Sequence, residues 1–229
     1  MPATAPKPAA TAKPAPKLTQ AARPAAPKPP THRGGTHTLG VRFLNALSFS
    51  TKLHALQTRK GSRIPYVAHL LAVASTTIEA GGSEDQVIAA LLHDAVEDQG
   101  GVATLNKIRS MFGPEVASIV EACTDAPEAP KPPWRERKEH HLAQLKEAAA
   151  DVALVVAADK LHNARTILAD YRKIGDQLFE RFQGGKAGTL WYYRSMQKVL
   201  KLKGPEGLVE ELDRVVTELE KMAARKRSR

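Results

Sequence analysis

Cysteine is almost absent: Cys123 stands alone in 229 residues. An internal disulfide framework is therefore excluded, and such thiol usage suits a reducing compartment. Aromatic residues make up only 5% of the chain, which leaves the core mainly to Leu, Val, Ile and Ala. No apolar run approaches the ~20 residues that span a bilayer, and no apolar stretch near the N-terminus has the form of a secretory signal. These absences set the expectation of a cytoplasmic protein without a membrane segment. Acidic residues are missing from the first third. Residues 1–78 hold eleven Lys or Arg and neither Asp nor Glu, whereas the other 151 hold 23 basic and 24 acidic side chains. The net charge of +10 thus belongs to the N-terminal part and says little about the domain that follows.

Residues 1–36 are a Pro/Ala/Lys/Thr mixture ending in His32-Arg33-Gly34-Gly35. Such a stretch buries too little apolar surface to offset the entropy of ordering it. The expectation is a disordered basic tail, with contact to nucleic acid or another polyanion as its candidate role. From residue 40 the pattern is helical. Val41, Leu44, Leu47, Leu53 and Leu56 recur at three- or four-residue spacing or multiples of it, and 65–80 opens on Pro65 and closes on Gly81-Gly82. Ser83-Glu84-Asp85-Gln86 reads as an N-cap with its capping box. Further helices are expected at 104–112, 114–123, 134–148, 151–169, 171–182 and 188–203. A last one, 206–224, carries Leu208, Leu212, Val215, Val216, Leu219 and Met222 on one face. No period-2 strand appears, and VALVVA at 152–157 continues into helical sequence. The fold class expected is all-α: a bundle of about eight to ten helices over 37–204, followed by a C-terminal amphipathic helix at 205–229 with a basic end. DAPEAPKPP, 125–133, reads as a proline-rich loop, and Trp191, Tyr192 and Tyr193 read as helix packing.

Four segments carry the chemical signal: Arg59-Lys60, PYVAH ending in His69, AALLHDAVED over 89–98, and ADKLHNART over 158–166. The third ends an apolar helix in His93-Asp94, then Glu97-Asp98. Four ionisable groups in six positions there are costly without partners. Read as one continuous helix, the spacing puts Glu97 a turn beyond His93 and Asp98 a turn beyond Asp94. One layer can offer an imidazole nitrogen and a carboxylate oxygen to a cation, and the next places two carboxylates where an attacking water would sit. His69 and Asp159 also interrupt apolar helices. Taken singly each has a plainer reading, a satisfied core histidine for His69 and an ion pair with Arg165 for Asp159. Taken with His93 and Asp94 they favour a metal site.

The series His69…His93-Asp94…Asp159 resembles the H…HD…D signature of the HD-domain phosphohydrolases. RKGSRIPYVAH, AALLHDAVEDQGG and AADKLHNARTI are closer still to the hydrolase domains of RelA/SpoT homologues and to the small alarmone hydrolases, the MESH1-like group. The likeness covers roughly residues 40–200, and Glu97-Asp98 marks its hydrolase-competent members. It implies that His69, His93, Asp94 and Asp159 hold one Mn²⁺ and that Glu97 and Asp98 orient and activate water. It further implies that Arg59 lies against the base, that Asn163 and Thr166 line a nucleotide pocket, and that Lys60 and Arg137 reach phosphate. The chain departs from that family's pattern at Leu70, where a proline is usual, in one extra residue between Arg59 and His69, and in FQGGKAGTLWYYRSMQKVL.

The chemistry so implied is metal-assisted removal of the 3′-pyrophosphate from (p)ppGpp, giving GDP or GTP. Imidazole and oxygen donors suit Mn²⁺ better than a thiolate-seeking ion. No synthetase sequence follows within the chain, so alarmone removal alone is expected. Two alternatives use the same residues: hydrolysis of another phosphorylated nucleotide such as ppApp or NADPH, and a non-catalytic nucleotide-binding regulator.

Overall fold

A computed structural model of the chain describes residues 38–125 and 132–225. The expected basic tail, most of the proline-rich loop and the last four residues lie outside the described residues. Among those described there is no strand, only an isolated bridge between Thr58 and Pro65, and the chain is helical as its periodicity predicts. The elements are α1 (Val41–Leu53), α2 (Val67–Glu79), α3 (Glu84–Leu92), the single turn α4 (Ala95–Asp98), α5 (Gly101–Phe112), α6 (Pro114–Cys123), α7 (Trp134–Glu147), α8 (Ala150–Ile174), a 3₁₀ segment (Gly175–Arg181), α9 (Gly185–Leu200) and α10 (Glu206–Ala224).

Local chemistry explains most boundaries. Ser83 accepts the Gln86 amide while the Gln86 side chain accepts from the Ser83 amide, so two of the otherwise orphaned donors that open α3 are satisfied. Pro114 sits in the first turn of α6, where its missing N–H costs nothing. Gly113 before it takes φ +98°, open to glycine at no steric cost.

Two expected boundaries are corrected. The helices expected at 151–169 and 171–182 are one 25-residue helix to Ile174, followed by a 3₁₀ turn. No breaker stands near residue 170, and the helix stops at Gly175, with φ +62°. Conversely, 84–98 is not one continuous helix. It breaks at His93-Asp94, where Asp94 takes φ −96° and ψ −3°, the sparsely populated bridge region in which many active-site residues sit.

The long helix α8 is the axis of the core. Helices α2, α3, α6, α9 and α10 all pack on it, because VALVVAA is buried along nearly its whole surface. Helix α10 covers α8 and α9 with Leu212, Val215, Val216 and Leu219 buried and Leu208 and Met222 partly so. Each such side chain contributes about 1.5–3 kcal/mol by leaving water. The stripe expected on α1 divides differently. Leu47 and Leu53 pack on the core with Phe43 and Phe49, but Val41 and Leu44 face solvent and Leu56, beyond the helix end, is 100% exposed.

Candidate metal centre and active site

Three elements bring their polar groups to one point. Helix α2 supplies His69, the α3–α4 break supplies His93 and Asp94, and α8 supplies Asp159 from the middle of its buried length. His69, His93 and Asp159 form a buried group able to hold a metal ion. Their donor atoms are close-set: His69 Nε2 to His93 Nε2 is 3.2 Å, His69 Nε2 to Asp159 Oδ1 3.3 Å, and His93 Nε2 to Asp159 Oδ1 3.6 Å. Asp94 Oδ2 joins them, 3.0 Å from His93 Nε2 and 3.4 Å from His69 Nε2. Ligands about 2.1 Å from one ion stand about 3.0 Å apart at a right angle and about 3.4 Å apart at a tetrahedral angle. The observed separations, 3.0–3.6 Å, lie within or just above that range.

The surroundings fix the donors' orientation. His93 Nδ1 donates to the Ala90 carbonyl at 2.8 Å, which leaves a lone pair on Nε2 pointing to the centre. His69 Nδ1 meets His162 Nδ1 at 2.8 Å; with His69 as the donor of that bond, its Nε2 likewise keeps a lone pair to ligate. Two imidazole nitrogens facing each other beside two carboxylates need a cation among them. With a proton as that cation, burial opposes charge on His93, but Asp94 and Asp159 outweigh it and hold the group well above its ordinary range. The residues therefore fit a divalent metal.

The remaining expected residues surround this point. Asp98 lies one helical turn from Asp94, its amide donating to the Asp94 carbonyl at 3.0 Å. Partial desolvation and the Asp94 and Glu97 carboxylates push Asp98 above the usual carboxylate range, against the hydrogen bond from Gln57. Arg59 donates to Asn163 Oδ1 at 2.5 Å, and Asn163 in turn donates to Asp159 Oδ1 at 2.5 Å. Thr166 bonds back to the His162 carbonyl of its own helix. The plainer reading of Asp159, an ion pair with Arg165, is not met: Arg165 reaches Glu211 at 3.4 Å, and Asp159 pairs with Lys160 at 2.6 Å.

Glu97 and Lys60 line a cavity of about 260 Å³ beside the centre, walled also by Arg137, Lys138, Lys160, Trp134, Phe182, Tyr192 and Tyr193. Arg137 gives one N–H to Asp125 at 2.5 Å and another to the Pro132 carbonyl. Burial works against charge on Lys160, but Asp159 beside it keeps its pKa well above the ordinary lysine value.

Sequence reasoning assigned no role to Lys138, Lys160, His162 or Tyr66. Lys160 and His162 sit inside the quoted ADKLHN motif, and their adjacency to Asp159 was the available signal. Tyr66, three residues before His69 and hence on its face, donates to Asp94 Oδ2 at 2.5 Å. Tyr192 and Tyr193 are buried in packing, as expected of them, yet also wall the cavity.

A model of the HD domain matches residues 46–189, a span that contains every residue of this centre. The chain belongs to the HD-domain family. It is 37% identical over 125 residues to a probable guanosine-3′,5′-bis(diphosphate) 3′-pyrophosphohydrolase of Synechocystis, covering 53% of this chain but only 16% of that protein. It is 35% identical over 128 residues to the Danio rerio guanosine-3′,5′-bis(diphosphate) 3′-pyrophosphohydrolase MESH1, covering 55% of this chain and 68% of the other. In fold it is similar to a metazoan SpoT ortholog described as hydrolysing ppGpp, with TM-score 0.66 and 24% identity over 79% of this chain and 96% of that one. Within the HD-domain family the chain is thus related to the ppGpp 3′-pyrophosphohydrolases and resembles the small standalone MESH1 type.

Proposed function

We propose that the chain is a metal-dependent phosphohydrolase that removes the 3′-pyrophosphate from (p)ppGpp. The observation that carries this reading is the convergence of His69, His93 and Asp159 at 3.2–3.6 Å separations, with Asp94 3.0 and 3.4 Å from the two imidazoles, Glu97 and Asp98 in the next turn and a lysine-rich cavity alongside. His69, His93, Asp94 and Asp159 would hold one divalent ion, with Mn²⁺ as the candidate on grounds of donor type. When bound, such an ion lowers the pKa of water and offsets charge on phosphoryl oxygens.

The chain's own groups account for the rest. Asp98, pushed above the usual carboxylate range, is suited to accept the proton that the attacking water loses, and Glu97 to orient that water. The water oxygen joins the phosphorus next to the 3′ oxygen. The bond from that phosphorus to the 3′ oxygen breaks, and the 3′ oxygen takes up a proton. GDP and pyrophosphate result from ppGpp. Lys60, Lys138, Lys160 and Arg137 would supply positive charge for the phosphates, while Arg59, bonded to Asn163, would meet the nucleoside.

Incubating metal-stripped protein with ppGpp, with and without Mn²⁺, tests the reading. Manganese-dependent GDP and pyrophosphate, lost in Asp94→Ala, is the expected outcome. Turnover of ppApp or NADPH but not ppGpp would reassign the substrate, and bound nucleotide without turnover of any would leave a binding protein.

A further inference from the structure

The segment 57–66 folds back on itself. The Arg59 amide donates to the Ile64 carbonyl at 2.8 Å and the Tyr66 amide to the Gln57 carbonyl at 2.9 Å. Three of its side chains each grip a different residue of the site: Tyr66 holds Asp94, Arg59 holds Asn163, and Gln57 holds Asp98. The first two act on the metal ligands or a neighbour of them. The third acts on Asp98, the carboxylate proposed to take the water's proton.

The Gln57 amide cannot turn over freely. Its Oε1 accepts from Gln99 Nε2 at 2.7 Å and from His54 Nδ1 at 2.7 Å. Its Nε2 donates to Asp98 Oδ2 at 2.7 Å. A flipped amide would set oxygen against the Asp98 carboxylate and its NH₂ against the Gln99 NH₂, losing the bonds on both sides. His54 is anchored too: it is 2% exposed and its ring stacks on Tyr66 with centroids 5.3 Å apart. Helix α1 thus ends in a buried imidazole whose visible task is to hold one amide in one orientation.

We infer that Gln57 is the positioning residue for Asp98, an amide locked by His54 and Gln99 so that its N–H fixes the carboxylate facing the reaction. The inference rests on the phosphohydrolase reading for its kinetic consequence but not for its structural one. Gln57→Leu removes the donor, and Gln57→Glu keeps size and shape while replacing the donor by a carboxylate.

In the manganese-loaded full chain, both variants retain bound metal and KM within about twofold, while kcat falls by about 10- to 100-fold. Gln57→Glu is impaired at least as much as Gln57→Leu, which a space-filling role would not produce. A crystal structure of Gln57→Leu then shows Asp98 in a different rotamer with the four metal ligands in place. Wild-type kcat in Gln57→Glu, or an unmoved Asp98 in Gln57→Leu, would overturn the inference. If the wild type turns over no nucleotide, the phosphohydrolase reading fails, and the Asp98 rotamer still decides the role of Gln57.

Discussion

Stripping divalent metal from the protein should lower its melting temperature, and Asp159→Asn should abolish the difference between stripped and loaded forms. In the folded chain His69, His93 and Asp159 bring their donors within 3.6 Å of one another, and Asp94 stands within 3.4 Å of both imidazoles. The unfolded chain has no such cluster, so binding acts as folding free energy. At a metal concentration of one hundred times Kd, linkage supplies about 2.7 kcal/mol. For a helical unit of this size each kcal/mol moves Tm by about 2–4 °C, so the expected rise is about 5–11 °C. In Asp159→Asn one donor loses its charge, and Lys160, whose Nζ lies 2.6 Å from that carboxylate, faces a neutral amide instead. The assay is calorimetry of chelator-treated protein titrated with Mn²⁺, for both proteins. A wild-type Tm indifferent to metal, or an equal shift in Asp159→Asn, would refute the four-donor centre.

Other consequences follow from packing and charge. A Cβ added at Gly184 would lie 2.6 Å from the Trp134 ring, at a backbone conformation any residue can adopt. Gly184→Ala should therefore push α7 from the cavity wall and cost about 1–3 kcal/mol in urea unfolding. Leu212, fully buried on α10, should cost about 2–5 kcal/mol when truncated to alanine, measured by the same unfolding transition. His141 is buried, and burial with Lys160 and Lys138 nearby pushes it down from 6.5 to about 4. Its folded pKa lies below its unfolded one, so its contribution is complete above pH 6.5 and is lost as pH falls toward 4. That loss amounts to at most about 3 kcal/mol. Denaturation of wild type and His141→Gln between pH 7 and pH 4 should show the steeper fall in the wild type.

The helices were legible because their signals are local. The Ser83–Gln86 box, Pro114 and the Leu212–Leu219 stripe each act within one or two turns. The grouping of His69, His93 and Asp159 was legible because each ionisable group interrupts or ends an apolar helix. The break at His93-Asp94 was not, since VIAALLHDAVED holds neither glycine nor proline and the turn is imposed by tertiary structure. The Asp159–Arg165 pairing failed on geometry: six residues of helix turn the second side chain about 240° from the first, and Arg165 faces α10 instead. The lysine-rich cavity draws on residues from 60 to 193, a juxtaposition that no local pattern encodes. Gln57 was invisible for the same reason, because two of its three partners, Asp98 and Gln99, come from the end of α4 and the residue after it.

In the proposed function one metal centre drives release of pyrophosphate from (p)ppGpp. Product analysis of metal-stripped protein with ppGpp, before and after Mn²⁺ and beside Asp94→Ala, tests it most directly. GDP and pyrophosphate in equal amounts are expected only from the manganese-loaded wild type. Equal product without metal, undiminished product from Asp94→Ala, or free phosphate in place of pyrophosphate would contradict it.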